Sequence, residues 1–129
     1  MVNDVSERAF QIKREGQWTK GKSCDTFGPT GHYLVTKDEI PDVQNLKMYL
    51  YVNGKRMQNW STNTIIFSAK HIVYYLSQFM SLNPCDVIAT GTPPGVGLGM
   101  KPPVFLNAGD TMKLGIEGLG EQNQICIQG

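Results

Sequence analysis

Apolar and polar residues alternate most regularly between residues 46 and 60. Leu46, Met48, Leu50 and Val52 interleave with Lys47, Tyr49 and Tyr51, the period of two that a strand imposes. Asn53-Gly54 follows, a pair suited to a two-residue type I′ turn because both positions need positive φ. Lys55 to Trp60 then returns as the partner strand, in a register that sets Leu50 opposite Met57 and Tyr51 opposite Arg56. A second alternation runs from Thr111 to Glu117 and from Gln122 to Ile127. Gly118-Leu119-Gly120 reads as the hairpin turn between them. Ser68 can cap a helix predicted from Ala69 to about Met80, with Ile72, Val73, Leu76, Phe79 and Met80 on one face and Pro84 beyond its end. Tyr33 to Thr36 reads as a short strand, and Lys37 to Gln44, with Pro41, as a surface loop. Asp86 to Thr90 reads as a short buried strand leading into Gly91, and Ser6 to Gln11 as a short helix or turn. The sum is a strand-rich α+β domain with one main helix near 69–80. It lacks the regular strand–helix alternation of a doubly wound sheet.

Composition narrows the function classes. The 129 residues are 40% hydrophobic and 18% charged, which supports one globular domain, spanning 1–129. A net charge of +1, with no block of Lys or Arg, argues against nucleic acid or an anionic membrane as partner. No apolar run approaches the roughly 20 residues needed to cross a bilayer. Met1-Val2-Asn3-Asp4 is not the start of a signal peptide. Cys24, Cys85 and Cys126 are odd in number and widely spaced, which favours a reducing cytoplasm over a disulfide scaffold.

Four clusters could carry chemistry. Asp4, Arg8 and Gln11 could face one way on a helix or tight turn. A carboxylate, a guanidinium and an amide can together hold a metal and an anion, although an exposed Asp–Arg pair is the plainer reading. Lys22, between Gly21 and Ser23, could be a desolvated base or an electrostatic clamp, or an ordinary surface lysine. The run Thr90-Gly91-Thr92-Pro93-Pro94-Gly95-Val96-Gly97-Leu98-Gly99 could bind a carboxylate through backbone N–H groups and the Thr92 hydroxyl, or be a structural turn. His32 and His71 belong to no His/Cys cluster, so zinc is not expected.

Taken in order, these segments resemble the C-terminal motifs of the fumarylacetoacetate hydrolase family. The series runs from Asn3-Asp4-Val5-Ser6-Glu7-Arg8 with Gln11, through Gly21-Lys22-Ser23 and Asp25-Thr26-Phe27-Gly28-Pro29, to Val52-Asn53-Gly54. It continues with Asp86 to Gly97, then Ala108-Gly109-Asp110 and Ile116 to Gly120. Nearly the whole chain is covered. The resemblance implies the mixed β-sandwich roll of that family's C-terminal domain. It also implies Asp4 as one carboxylate ligand of a magnesium site, where manganese or calcium could substitute. Arg8 and Gln11 would order the site and contact substrate, Lys22 would be the active-site lysine, Thr26 a nearby polar contact, and Thr92 the holder of a substrate carboxylate.

The implied activity is hydrolysis of a C–C bond in acylpyruvates or other 2,4-dioxo acids, diketo-deoxy sugar acids among them, by a cytoplasmic homodimer. Oxaloacetate tautomerases, decarboxylases, hydratases and isomerases share the same metal–enolate chemistry. Family members carry a Glu-x-Glu pair upstream of the Asn-Asp motif, and this chain begins two residues before that motif. The expectation is a partial catalytic domain, inactive alone, or else a non-catalytic fragment. Two positions depart from the family pattern: His32 stands where proline is common, and Cys85 where glycine is common in a turn that needs positive φ.

Overall fold

The computed structural model describes residues 1–128. The backbone divides into two compact units, residues 1–31 and the chain from residue 32 onward. In the first, the ends are closed by two backbone hydrogen bonds. Asn3 N donates to Pro29 O at 3.0 Å and Gly31 N to Met1 O at 2.7 Å, which makes an isolated antiparallel bridge between Val2 and Thr30. Between them lie a wide helical turn over Ala9–Lys13 and a 3-10 turn over Trp18–Gly21. The helical turn expected over 6–11 is therefore present but begins later, because the Glu7 carboxylate accepts from Ala9 N at 2.8 Å and holds the chain ahead of it.

The second unit is built on one antiparallel sheet. Its strands are β1 (Lys47–Val52), β2 (Lys55–Ser61), β3 (Thr111–Ile116) and β4 (Glu121–Ile125), in the spatial order β2-β1-β3-β4. With the helix α1 (Ala69–Leu76) this is the α+β arrangement that the alternation predicts. Met48, Leu50 and Val52 pair with Ile116, Leu114 and Met112, so the apolar residues of β1 and β3 share one face. Met112 and Leu114 are buried there. The opposite face is polar and aromatic. Tyr49 Oη donates to Glu121 Oε2 at 2.6 Å, and Lys113 Nζ lies 3.0 Å from Glu121 Oε1. Gly115 leaves room for the Tyr49 ring, since a Cβ at that position would lie 2.6 Å from it.

The first hairpin turns at Asn53-Gly54, with φ of 49° and 76°, as the type I′ signal requires. Tyr51 pairs with Arg56 as expected, but Leu50 pairs with Gln58 and not with Met57. One extra residue, Met57, forms a β-bulge. Because side chains alternate across a strand, this slip of one residue turns Gln58 to the inner face beside Leu50. Gln58 is buried in consequence.

Asn53 does more than turn the chain. Its Nδ2 donates to Asp110 Oδ1 at 2.8 Å, and its Oδ1 accepts from Thr111 N at 2.9 Å. Asp110 Oδ2 in turn accepts from Asn107 N at 2.7 Å. The Val52-Asn53-Gly54 and Ala108-Gly109-Asp110 motifs are thus two halves of one structural lock. These bonds, first from the Asn53 amide and then from Asn107, hold the Asp110 carboxyl below its ordinary range.

Three expected elements take other forms. Tyr33 to Thr36 is not a strand: no neighbouring strand pairs with it, and the chain enters a 3-10 turn at Lys37–Glu39. The helix begins as predicted, with Ser68 Oγ accepting from His71 N at 3.2 Å, but ends at Leu76. The Ser77 hydroxyl and the Gln78 amide both donate to Tyr74 O, side-chain bonds that compete with the helical ladder. Only Ile72 and Leu76 of its apolar face are half-buried. Asp86 to Thr90 is neither a strand nor buried, and Val87 is exposed. Asp86 is committed to the preceding turn, where its Oδ2 accepts from Asn83 N at 2.7 Å.

That turn carries Pro84 and then Cys85 at φ 75°, the dihedral pattern of a type II turn, which favours glycine at its third position. Cys85→Gly should therefore stabilise the protein by about 1 kcal/mol. A melting temperature raised by roughly 4 °C is expected, and an unchanged or lower value would count against the strain argument. The Asp110 bonds predict a pH effect. A carboxyl depressed on folding stabilises fully above its unfolded pKa, near 3.9, and loses that contribution as pH falls through the folded value. Stability measured between about pH 5 and pH 2 should fall less steeply in Asp110→Asn than in the parent.

Candidate functional site

In the first unit the site residues are positioned by a glycine. Gly21 ends the 3-10 turn and is buried. Its carbonyl accepts from Glu7 N at 2.8 Å, and a Cβ at residue 21 would collide with Gln11 Cγ and Glu7 O. Only glycine lets these segments approach so closely. Lys22 follows directly, and its backbone N–H donates to Thr19 O at 3.0 Å. The side chain then reaches Asp4: Nζ lies 2.6 Å from Asp4 Oδ2 and 3.4 Å from Asp4 O. The two side chains are 30% and 53% exposed, so the ion pair contributes under about 1 kcal/mol to stability. Its significance is placement. Asp4 pairs with Lys22, eighteen residues away, and not with Arg8 as helical spacing alone suggested.

Arg8 and Gln11 form a second contact. Arg8 Nη1 donates to Gln11 Oε1 at 2.8 Å, and Gln11 Nε2 donates to Trp18 O at 3.3 Å. Gln11 is only 1% exposed. With both ends of its amide engaged, it fixes the direction of the guanidinium. Thr26 stands apart from these contacts, exposed in a turn at φ 66°.

In the second unit the Gly/Pro loop lies against the bulged strand. Gln58 Nε2 donates to Thr92 Oγ1 at 3.1 Å and to Pro93 O at 2.9 Å. Gly95, at φ 114°, brings the loop so close that a Cβ there would collide with Met57 O. Thr92 itself is exposed. Gln58 was not among the residues that the sequence marked. It stands in a polar stretch, Gln58-Asn59, where strict alternation would turn it outward, and only the bulge turns it in.

Magnesium takes about six oxygen ligands. Among the described residues no group of three or more His, Cys, Asp or Glu side chains could hold a metal. Asp4 offers one carboxylate, so these residues alone do not fit the ion. No described helix is long and apolar enough to cross a membrane.

Known proteins match this chain over nearly its whole length. The family model described as "Fumarylacetoacetate (FAA) hydrolase C-terminal" matches residues 1–125. A protein of Burkholderia cenocepacia strain HI2424, named as a candidate hydrolase, is 62% identical over 96% of this chain and 44% of its own length. A fumarylacetoacetate hydrolase from psychrophilic Exiguobacterium antarcticum superposes with a TM-score of 0.92 at 41% identity, over 98% of this chain and 46% of that one. A 2-hydroxyhepta-2,4-diene-1,7-dioate isomerase from Mycobacterium marinum gives 0.83 at 40% identity, again over 98% and 46%. The chain thus spans less than half the length of these relatives, which include enzymes named as hydrolase and as isomerase. On the agreement of its motifs, its fold and this match over residues 1–125, the chain belongs to the fumarylacetoacetate hydrolase family.

Proposed function

We propose that the protein carrying this chain is a cytoplasmic, homodimeric enzyme that hydrolyses a C–C bond in acylpyruvates or related 2,4-dioxo acids, diketo-deoxy sugar acids among them, in a magnesium-dependent reaction. The observation that carries this reading is the 2.6 Å ion pair between Asp4 and Lys22. It joins the two residues to which the family resemblance gives the metal carboxylate and the active-site lysine. Asp4 would supply one carboxylate ligand to magnesium (or to manganese or calcium in its place).

The chain's own groups suit the rest of the chemistry. Water attacks the carbonyl distal to the 2-oxo acid, the C–C bond breaks, and a pyruvate-type enolate departs with its electron pair. Lys22 sets a fixed positive charge where such an enolate develops and can return a proton to its carbon. Arg8, aimed by buried Gln11, offers a guanidinium fork to an anionic substrate group. Thr92 donates its hydroxyl to a substrate carboxylate, and Thr26 lends a further polar contact.

A second reading is isomerisation or tautomerisation of a 2-oxo acid through the same enolate, without C–C cleavage. The likeness to the Mycobacterium marinum isomerase, at 40% identity against 41% for the hydrolase, favours keeping it.

A screen of acylpyruvates, oxaloacetate and diketo sugar acids, with magnesium and with EDTA, tests both readings. Pyruvate release that EDTA abolishes is the expected result. Conversion without pyruvate release selects the isomerase reading, and no turnover of any 2-oxo acid defeats both. Lys22→Met should lower kcat by roughly 100-fold or more, within the usual range for loss of an acid–base group. Residues 1–129 alone should show no magnesium site of micromolar affinity by isothermal titration, since one carboxylate does not fill the ion's coordination sphere.

A further inference from the structure

The contact between Gln58 and the Gly/Pro loop has a direction that matters for chemistry. Pro93 O can only accept a hydrogen bond, so the Gln58 atom 2.9 Å from it is the amide nitrogen and not the oxygen. The same nitrogen faces Thr92 Oγ1 at 3.1 Å. Its two hydrogens are thereby shared between the carbonyl and the hydroxyl. Thr92 receives through its oxygen lone pair, and its own hydrogen is left for another acceptor. Among the described residues Thr92 donates to none. Gln58 is 8% exposed, whereas Thr92 lies at the surface. The Thr92 hydroxyl hydrogen is therefore directed away from the buried Gln58 nitrogen.

We infer that Gln58 is a positioning residue: it fixes Thr92 as a hydrogen-bond donor to a carboxylate, and so makes this loop selective for anionic substrate ends. The inference rests on the reading that Thr92 meets the substrate carboxylate. The bulge at Met57 supplies the register, the buried amide supplies the polarity, and Gly95 lets the loop lie close enough for both bonds. An inward carboxylate at residue 58 would reverse the arrangement. It would accept from the Thr92 hydroxyl and leave only lone pairs facing out, toward an anion that repels them.

The test uses the protein carrying this chain with Gln58→Glu, Gln58→Met and Gln58→Asn, each alone and combined with Thr92→Val. Pyruvate is the probe, titrated against the backbone amide NMR signals of Gly91, Thr92 and Gly95, and steady-state kinetics and thermal unfolding are measured in parallel. Gln58→Glu should weaken pyruvate binding about tenfold or more, as expected for a lost hydrogen bond to a charged group. Gln58→Met should fall between it and the parent, with the loss carried mainly in KM. In the Thr92→Val background, substitution at residue 58 should have little further effect on binding.

Gln58 variants that bind pyruvate like the parent, while Thr92→Val does not, would sink this inference and leave the Thr92 role standing. Equal losses with and without Thr92 would reduce Gln58 to a structural residue and also overturn it. Pyruvate that fails to perturb the loop in the parent overturns both. Conversely, Gln58-dependent binding in a protein without magnesium-dependent turnover would uphold the inference and reject the proposed reaction. Should Gln58→Glu not fold, Gln58→Met and Gln58→Asn still test the coupling, since each should weaken pyruvate binding only while Thr92 is present.

Discussion

The register between β1 and β2 governs the second unit. A strand has only two faces, so one inserted residue exchanges everything beyond it. Met57 is that residue. Ahead of it the hairpin follows its turn, with Tyr51 opposite Arg56. Beyond it Gln58 takes the inner position beside Leu50, a place that strict alternation would give to an apolar side chain. A buried amide needs partners, because an unsatisfied polar group costs on the order of 1–3 kcal/mol. Thr92 and Pro93 satisfy it. The packing of the Gly/Pro loop is therefore a consequence of strand register as much as of the loop's own glycines.

The first unit works by a different constraint, the absence of a side chain. Gly21 lets the 3-10 turn press against Glu7 and Gln11, and that approach delivers Lys22 to Asp4 and aims Arg8 through Gln11. The Asp4–Lys22 pair, part-exposed on both sides, adds little stability. What the contacts fix is geometry: the Lys22 ammonium against the Asp4 carboxylate, and the Arg8 guanidinium against the Gln11 amide.

Much of this was legible in the residues. Period-two alternation and Asn-Gly located the first hairpin, and Gly118 to Gly120 located the second, because these signals are local. The ordered motifs brought Asp4 and Lys22, or Arg8 and Gln11, into one list before their contacts were known. What failed to show were features decided by tertiary context. Asp86 to Thr90 has the apolar content of a buried strand, but Asp86 is taken by its turn and no neighbouring strand pairs with the segment. The helix was predicted to run to Met80, but Ser77 and Gln78 spend their side chains on Tyr74 O. The bulge, and with it the role of Gln58, leaves no trace in composition or period.

The lock between Asn53 and Asp110 bears on how this scaffold can be altered. A two-residue tip on a surface hairpin is ordinarily the first choice for inserting a peptide or opening new termini. Here the tip's own asparagine also fastens the entrance to β3. Lengthening it would loosen two places at once, about sixty residues apart in sequence. The tip that looks most expendable is the one an engineer should leave alone.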